Sequence, residues 1–393
     1  MKNGMCMLLI LCFVLSLLSA PALAGADEIM IPELSVAGRA VPDNEAMAFL
    51  RGMGAGWNLG NTFDAIKQGW NKNADEMTLE SVWSRIVTTE EMIDTVQRAG
   101  FTSIRIPVSW HDHVDADYQI SRRWLDRVQE VVDWAYSRGM RVILNTHHDE
   151  EQFLPTPAHR EESLRYIRTV WQQLAERFRD YDDRLIMESM NEPRMLNHDN
   201  EWWFNADNQD CRESALVLNE LNQAFVDTVR AGGGYNATRY LMVPGYDASP
   251  EGALNDYFAL PKDTADNRVI VSVHAYRPYS FALELPGVAT FGTDAQKRDI
   301  LSFMDGLYNR YIANGIPVVI GEFGALKKGD NLQDRVSWTA FYTAHAKARN
   351  LPVLWWDNNA VSGSGECFGL IDRETCTVTF PPILETIMKY SAD

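Results

Sequence analysis

The sequence predicts an α/β fold in a single domain, a closed barrel of eight strand-and-helix units. Three observations lead there. Eight short apolar runs recur along the chain, segments with helical spacing lie between many of them, and the runs end in polar or aromatic residues. Strands separated by helices pair in parallel, and eight such units close on themselves as a (β/α)8 TIM barrel.

The runs are "GAGWNLG" (54–60), "FTSIRIPV" (101–108), "MRVILNTH" (140–147), "RLIMESMN" (184–191), "RYLMVPG" (239–245), "RVIVSVHAY" (268–276), "IPVVIGEFG" (316–324) and "LPVLWWDN" (351–358). In "SRRWLDRVQEVVDWAYSRG" (121–139), Trp124, Val128, Val131, Val132 and Ala135 share one helical face, and Gly139 ends the helix. Comparable helices are expected at 160–179, 213–231, 294–314 and 331–349. "AGGGYN" (231–236) follows a helix instead of opening one, so it reads as a helix terminus and not a phosphate cradle.

The chain has 393 residues, 46% of them hydrophobic, enough for a large core, and single barrels run this long. No linker or low-complexity tract interrupts residues 46 to 390. At the N-terminus, Lys2 precedes an apolar block at 7–20, then Pro21 and "ALA" at 22–24. That block is short for a membrane span, and its small-residue end resembles a signal-peptidase site. The expected organisation is a signal peptide at 1–24, an N-terminal arm or linker at 25–45, and the barrel domain at 46–393, secreted to the extracellular or periplasmic space. The formal charge of -18, from 54 acidic and 36 basic residues, disfavours nucleic acid and anionic membrane surfaces.

Of five cysteines, Cys6 and Cys12 fall in the leader. Cys211, Cys367 and Cys376 remain, without metal-type spacing. Cys367 and Cys376 flank a short stretch and are candidates for one disulfide, which leaves Cys211 free.

Function is expected where the runs end, because active sites of such barrels assemble on the C-terminal rim. The rim collects Asn61, Arg105, His147, Asn191, Glu192, His274, Tyr276, Glu322 and Trp356. Any one of these residues can simply solvate a strand end; the whole set is hard to explain that way. Two carboxylates on one rim can act on a glycosidic bond. At about 5 Å apart one attacks the anomeric carbon, whereas about 6.5 to 9.5 Å admits a water and inverts the centre. Arg105 is available to hold Glu322 ionised as a nucleophile, Tyr276 to orient it, and Glu192 to serve as acid and then base. The Asn191 amide can bond a sugar hydroxyl, and His274 shares the strand face of Tyr276.

Other chemistries find less support. "HHD" (147–149) and "HDH" (111–113) hint at a metal, but adjacent strand residues point to opposite faces, so His147 and His148 are not expected to share an ion. Asn205, Asp207 and Asp210 form an oxygen-rich loop that could hold calcium, although such runs are usually solvated turns. No G-x-S-x-G occurs. A glycan-binding barrel without catalysis would be signalled by loss of either glutamate, and both are present.

Taken together, "WNLGNTFD", "IRIPVSW", "NTHHD", "SMNEP", "VSVHAYRPYSF", "VIGEFG" and "LWWDN" resemble glycoside hydrolase family 5 from about Gly54 to the C-terminus. Residues 218–250 look like its subfamily of bacterial endoglucanases, xyloglucanases and lichenases. The resemblance implies a retaining endo-β-1,4-glucanase, monomeric and without cofactor or metal, acting on β-glucan polysaccharide, with mannan or xylan as alternative substrates. It implies Glu192 as acid/base and Glu322 as nucleophile. Asn61, Arg105, His147, His148, Asn191, His274, Tyr276 and Trp356 would then line the site, with Trp355 the alternative to Trp356 as sugar platform. The loop at 198–211 departs from the family pattern. Trp70, Trp110, Trp202, Trp203 and Tyr279 fall in expected rim loops, as sugar platforms or as buried anchors.

Overall fold

The computed structural model describes residues 28–72 and 74–391; the signal peptide expected at 1–24 lies outside the described residues. Eight parallel strands close into a barrel in chain order, with the last pairing the first. They are β1 (Gly56–Leu59), β2 (Ser103–Ile106), β3 (Arg141–Asn145), β4 (Leu185–Glu188), β5 (Leu241–Pro244), β6 (Val269–His274), β7 (Val318–Phe323) and β8 (Val353–Asp357). Burial on both faces explains why all eight read as nearly continuous apolar runs. Register sets Asn58 beside Arg105 and His274 beside Glu322, which begins to gather the rim.

The helices are α1 (Glu45–Arg51), α2 (Glu90–Arg98), α3 (Arg122–Ser137), α4 (Arg160–Arg177), α5 (Gln209–Ala231), α6 (Pro250–Leu254), α7 (Tyr279–Ala282), α8 (Asp294–Arg310), α9 (Leu332–Lys347) and α10 (Pro381–Ser391). The expected apolar face of α3 is the buried one, and Gly139 turns the chain at φ 76° just beyond it. Between β1 and β2 the crossover is α2, which the sequence reading did not pick out. It has nine residues, is capped by Thr89, and buries Met92, Ile93, Thr95 and Val96 on one face. Between β5 and β6 only the five-residue α6 remains.

Residues 28–44 form no regular element but are fastened to the body. Arg39 N–H donates to the Ala348 carbonyl at 2.7 Å, and the Tyr308 hydroxyl to the Ala40 carbonyl at 2.7 Å. This segment is a docked arm, not a free linker. The expected bridge is absent: Cys211, Cys367 and Cys376 are all free thiols. Cys367 is buried, whereas Cys376 sits in the turn of a small hairpin, between its paired strands β9 (Ile371–Asp372) and β10 (Thr377–Val378). Among the described residues, no helix is long and apolar enough to cross a membrane.

One buried cation locks the rear of the barrel. Arg239 donates to Asn236 Oδ1 at 2.7 Å and to the carbonyls of Leu185, Phe178 and Tyr181 at 3.0, 2.7 and 3.0 Å. Among the described residues no carboxylate forms an ion pair with it, and burial, helped by Arg230, brings its pKa down to about 10. Arg239→Ala should lower unfolding free energy by roughly 3 kcal/mol, because three carbonyls lose their donor and a cavity opens. Urea unfolding would measure this; a loss below about 1 kcal/mol would contradict it.

Candidate active site

Arg105 lies on β2 with no exposed surface. Its Nε donates to Glu188 Oε2 at 2.6 Å, Nη1 to Glu322 Oε1 at 2.6 Å and to Asn58 Oδ1 at 3.1 Å, and Nη2 to Asn191 Oδ1 at 2.8 Å. Burial opposes the charge, but the two carboxylates hold the guanidinium ionised. The sequence reading missed Glu188, a carboxylate inside an apolar strand, and Asn58. Glu188 also accepts from the Ser272 hydroxyl at 2.6 Å. A charged residue embedded in a buried strand run was the available signal, since such a group needs a buried partner.

Glu322, near the end of β7, is gripped at both oxygens. Arg105 holds Oε1, and the Tyr276 hydroxyl donates to Oε2 at 2.8 Å. Burial and the facing Glu322 push the Tyr276 pKa well above its ordinary value, so the phenol stays a donor. Glu192 stands beyond the end of β4. Its Oε1 lies 2.8 Å from His274 Nδ1, which is also 3.6 Å from Glu322 Oε1. A carboxylate oxygen of Glu192, a carboxylate oxygen of Glu322 and a ring nitrogen of His274 all lie within 4.8 Å of one another. Burial disfavours charge on both Glu192 and His274. Even so, the contact with His274 holds the Glu192 pKa below its ordinary value, and Glu322 with Glu192 holds that of His274 above its own.

A second wall faces this pair. The rings of Trp356 and His147 lie parallel, within 3°, with centroids 5.8 Å apart. Trp355 instead points away from the rim, fully buried, with its indole N–H on the Phe368 carbonyl. His148 continues the wall, edge-on to His147 and to the exposed Trp83. Asp64 accepts from the N–H groups of Asn61 and Thr62 at 2.9 and 2.6 Å, with Asn61 at φ 57°. The structure corrects one expectation here: donor atoms of Asp64, His147 and His148 lie within 4.8 Å of one another. Strand alternation does not separate the two histidines because β3 ends at Asn145, before them.

Two cavities open along this rim, and Glu192 lines the first of them. One, of about 510 Å³, is lined by Glu192, Trp202, Trp203, Asp247, Tyr276 and Tyr279. The other, of about 440 Å³, is lined by Trp70, His111, His148 and Glu150. Trp202 and Trp203 are about half exposed, whereas Trp110 is a buried anchor whose indole N–H meets the Asn145 carbonyl. Asp247 escaped the sequence reading. It sits at φ 56°, one carboxylate oxygen lacks a partner, and burial with the nearby Glu192 charge pushes its pKa well up. That backbone depends on a close approach at Gly252, where a Cβ would stand 2.0 Å from the Tyr246 carbonyl oxygen. In the oxygen-rich loop, Asn205 Oδ1 caps a turn at Asp207 and Asp210 pairs with His198.

A barrel carrying two glutamates at this spacing over an aromatic-lined cleft defines a glycoside hydrolase. The chain belongs to the cellulase family, glycosyl hydrolase family 5, whose model matches residues 64–362. It is 42% identical over 337 residues to Endoglucanase 1 of Ruminococcus albus, covering 86% of this chain and 79% of that protein. A family 5 lichenase from Caldicellulosiruptor sp. F32 superposes with a TM-score of 0.90 at 49% identity, over 92% of this chain and 99% of its own. A broad-specificity endoglucanase from Ruminococcus champanellensis, solved with bound cellotriose, gives 0.83 at 42% identity, over 89% and 100%.

Glu150 supports the wall from behind, accepting from His148 Nδ1 at 3.2 Å and Arg194 Nη1 at 3.1 Å. Burial opposes its charge, yet these partners bring its pKa from 4.5 to about 2. A depressed carboxylate stabilises the fold above its unfolded value and loses that contribution as pH falls towards the folded one. Glu150→Gln should therefore remove on the order of 3 kcal/mol at neutral pH and flatten the stability curve between the two values. Unfolding midpoints across acidic pH would show it; an unchanged slope would contradict the assignment.

Proposed function

We propose that the protein is a secreted, monomeric endo-β-1,4-glucanase that hydrolyses internal bonds of β-glucans with retention, by double displacement. The observation that carries this is the separation of under 4.8 Å between carboxylate oxygens of Glu192 and Glu322. Inverting enzymes keep their carboxyl groups farther apart, with room for a water between. The cavity beside Glu192 and the second one lined by Trp70 and His148 fit a polymer bound along the rim and cut internally. The names of the relatives agree with this substrate class, and the apolar leader ending in Ala24 supports export.

In the first step a Glu322 oxygen forms a bond to the anomeric carbon as the bond to the leaving oxygen breaks, and Glu192 gives that oxygen a proton. His274 Nδ1, 2.8 Å away, keeps a proton next to Glu192 Oε1. Esterified Glu322 is no longer an anion. In the second step water attacks the anomeric carbon, Glu192 takes a proton from it, and the ester bond to Glu322 breaks. Arg105 and Tyr276 fix the attacking carboxylate beforehand, and Asn191, tethered to Arg105, presents its amide to a sugar hydroxyl. Trp356 offers its face to the C–H side of the pyranose, while Asn61, His147 and His148 supply polar contacts.

The test is a panel of mixed-linkage β-glucan, carboxymethylcellulose and xyloglucan, with product sizes followed in time and the first anomer read by proton NMR. Expected are early oligosaccharides of several lengths, a β-anomer as first product, and a loss of roughly 10⁴-fold in kcat for Glu322→Gln. Monosaccharide alone, an α-anomer first, or full activity of the variant would each overturn the reading.

A further inference from the structure

Asn145 is the last residue of β3 and fully buried. Its Oδ1 accepts from the Val108 N–H at 3.1 Å, so the orientation of the amide is set. Turning the amide over would face its NH2 with the Val108 N–H, donor against donor. The NH2 end lies 3.1 Å from His147 Nδ1. An amide NH2 only donates, hence Nδ1 accepts, and a neutral imidazole that accepts at Nδ1 carries its hydrogen on Nε2.

We infer that Asn145 is a positioning residue: it fixes the tautomer of His147, so that the ring faces the cleft as a neutral, obligate Nε2–H donor. The inference rests on reading the cleft as the sugar site, where that donor would meet a hydroxyl oxygen. The rest of the wall acts in the same sense. Burial comes first, and then His148, Arg105, His274 and Arg194 all disfavour a proton on His147, holding its pKa well below the ordinary value. Asp64 faces the same cluster and is the one acidic group in it. A protonated ring would set an Nδ1–H against the Asn145 NH2, and geometry forbids that independently of charge.

The same bond settles the metal-like cluster. Asp64, His147 and His148 bring donor atoms within 4.8 Å of one another, close enough to surround an ion. His147 offers it nothing, because Nδ1 is capped by the amide and Nε2 holds the hydrogen. Asn145 therefore keeps a histidine pair beside the catalytic glutamates free for sugar.

Nitrogen-15 NMR of the wild-type protein labelled at histidine tests this without reference to turnover. His147, assigned by its absence in His147→Gln, should show the Nε2–H tautomer and no titration between about pH 5 and 8. An Nδ1–H signal or an ordinary titration would overturn the inference whatever the enzyme hydrolyses. Asn145→Asp keeps the acceptor for Val108 and the shape, but turns the donor facing Nδ1 into an acceptor. It should switch the ring to the Nδ1–H tautomer, add a new acidic ionisation to the kcat/KM profile, and lower kcat/KM by roughly 10- to 100-fold. A merely structural Asn145 would leave tautomer and profile unchanged in that variant, and this result would also refute the inference.

Discussion

The Arg105 guanidinium is the constraint on which the rim depends. A buried cation costs several kcal/mol unless all its donors are met. Here they are met by Asn58 on β1, Glu188 on β4, Asn191 just past it, and Glu322 on β7. Four stretches of backbone must hold register for one side chain to be satisfied, so the demand of a single charge fixes the relative positions of the groups around the anomeric carbon. The two carboxylates also divide the labour. Glu188, with Ser272 behind it, balances the guanidinium permanently. Glu322 shares the same guanidinium, which orients it for the nucleophilic role proposed above.

A second cation organises the flank. Arg194 donates to the Glu192 carbonyl at 2.9 Å and to Glu150, and its guanidinium lies 4.0 Å over the ring of Trp202. The loop at 198–211, which departs from the family pattern, is thereby tied to the backbone of the proposed acid. Tyr246 adds to this, its hydroxyl donating to the Asn200 carbonyl and accepting from the Met195 N–H. This loop is thus anchored to the residues that hold Glu192, which links cleft shape to the proposed reacting pair.

Much of this was legible in the sequence because buried parallel strands must be apolar while their ends are free to be polar. All eight strands lie within the apolar runs, and hydrogen bonds join Arg105 to Asn191 and Glu322, Tyr276 to Glu322, and His274 to Glu192. What escaped had physical reasons. Helix α2 does carry one apolar face, but over only nine residues, and α6 has five. Glu188 closes β4 inside the buried run, three residues before the rim pair Asn191 and Glu192 that drew the reading. Asp247 depends on a left-handed backbone beside a close approach at Gly252, which no periodicity announces. His147 and His148 defied alternation because the strand stops two residues earlier, and no sequence rule states where a barrel strand frays. The cysteine spacing fitted a bridge, but spacing carries no information on where the two side chains point, and both are free thiols.

The central claim is that the carboxylate held by Arg105 and Tyr276 becomes covalently bound to the sugar. Incubation with an activated 2-deoxy-2-fluoro-β-cellobioside, followed by digestion and mass spectrometry, reads it directly, since the fluorine slows release of the intermediate. The predicted result is one added glycosyl group, located on Glu322. A label on Glu192, on another carboxylate, or turnover with no trapped intermediate would contradict the account.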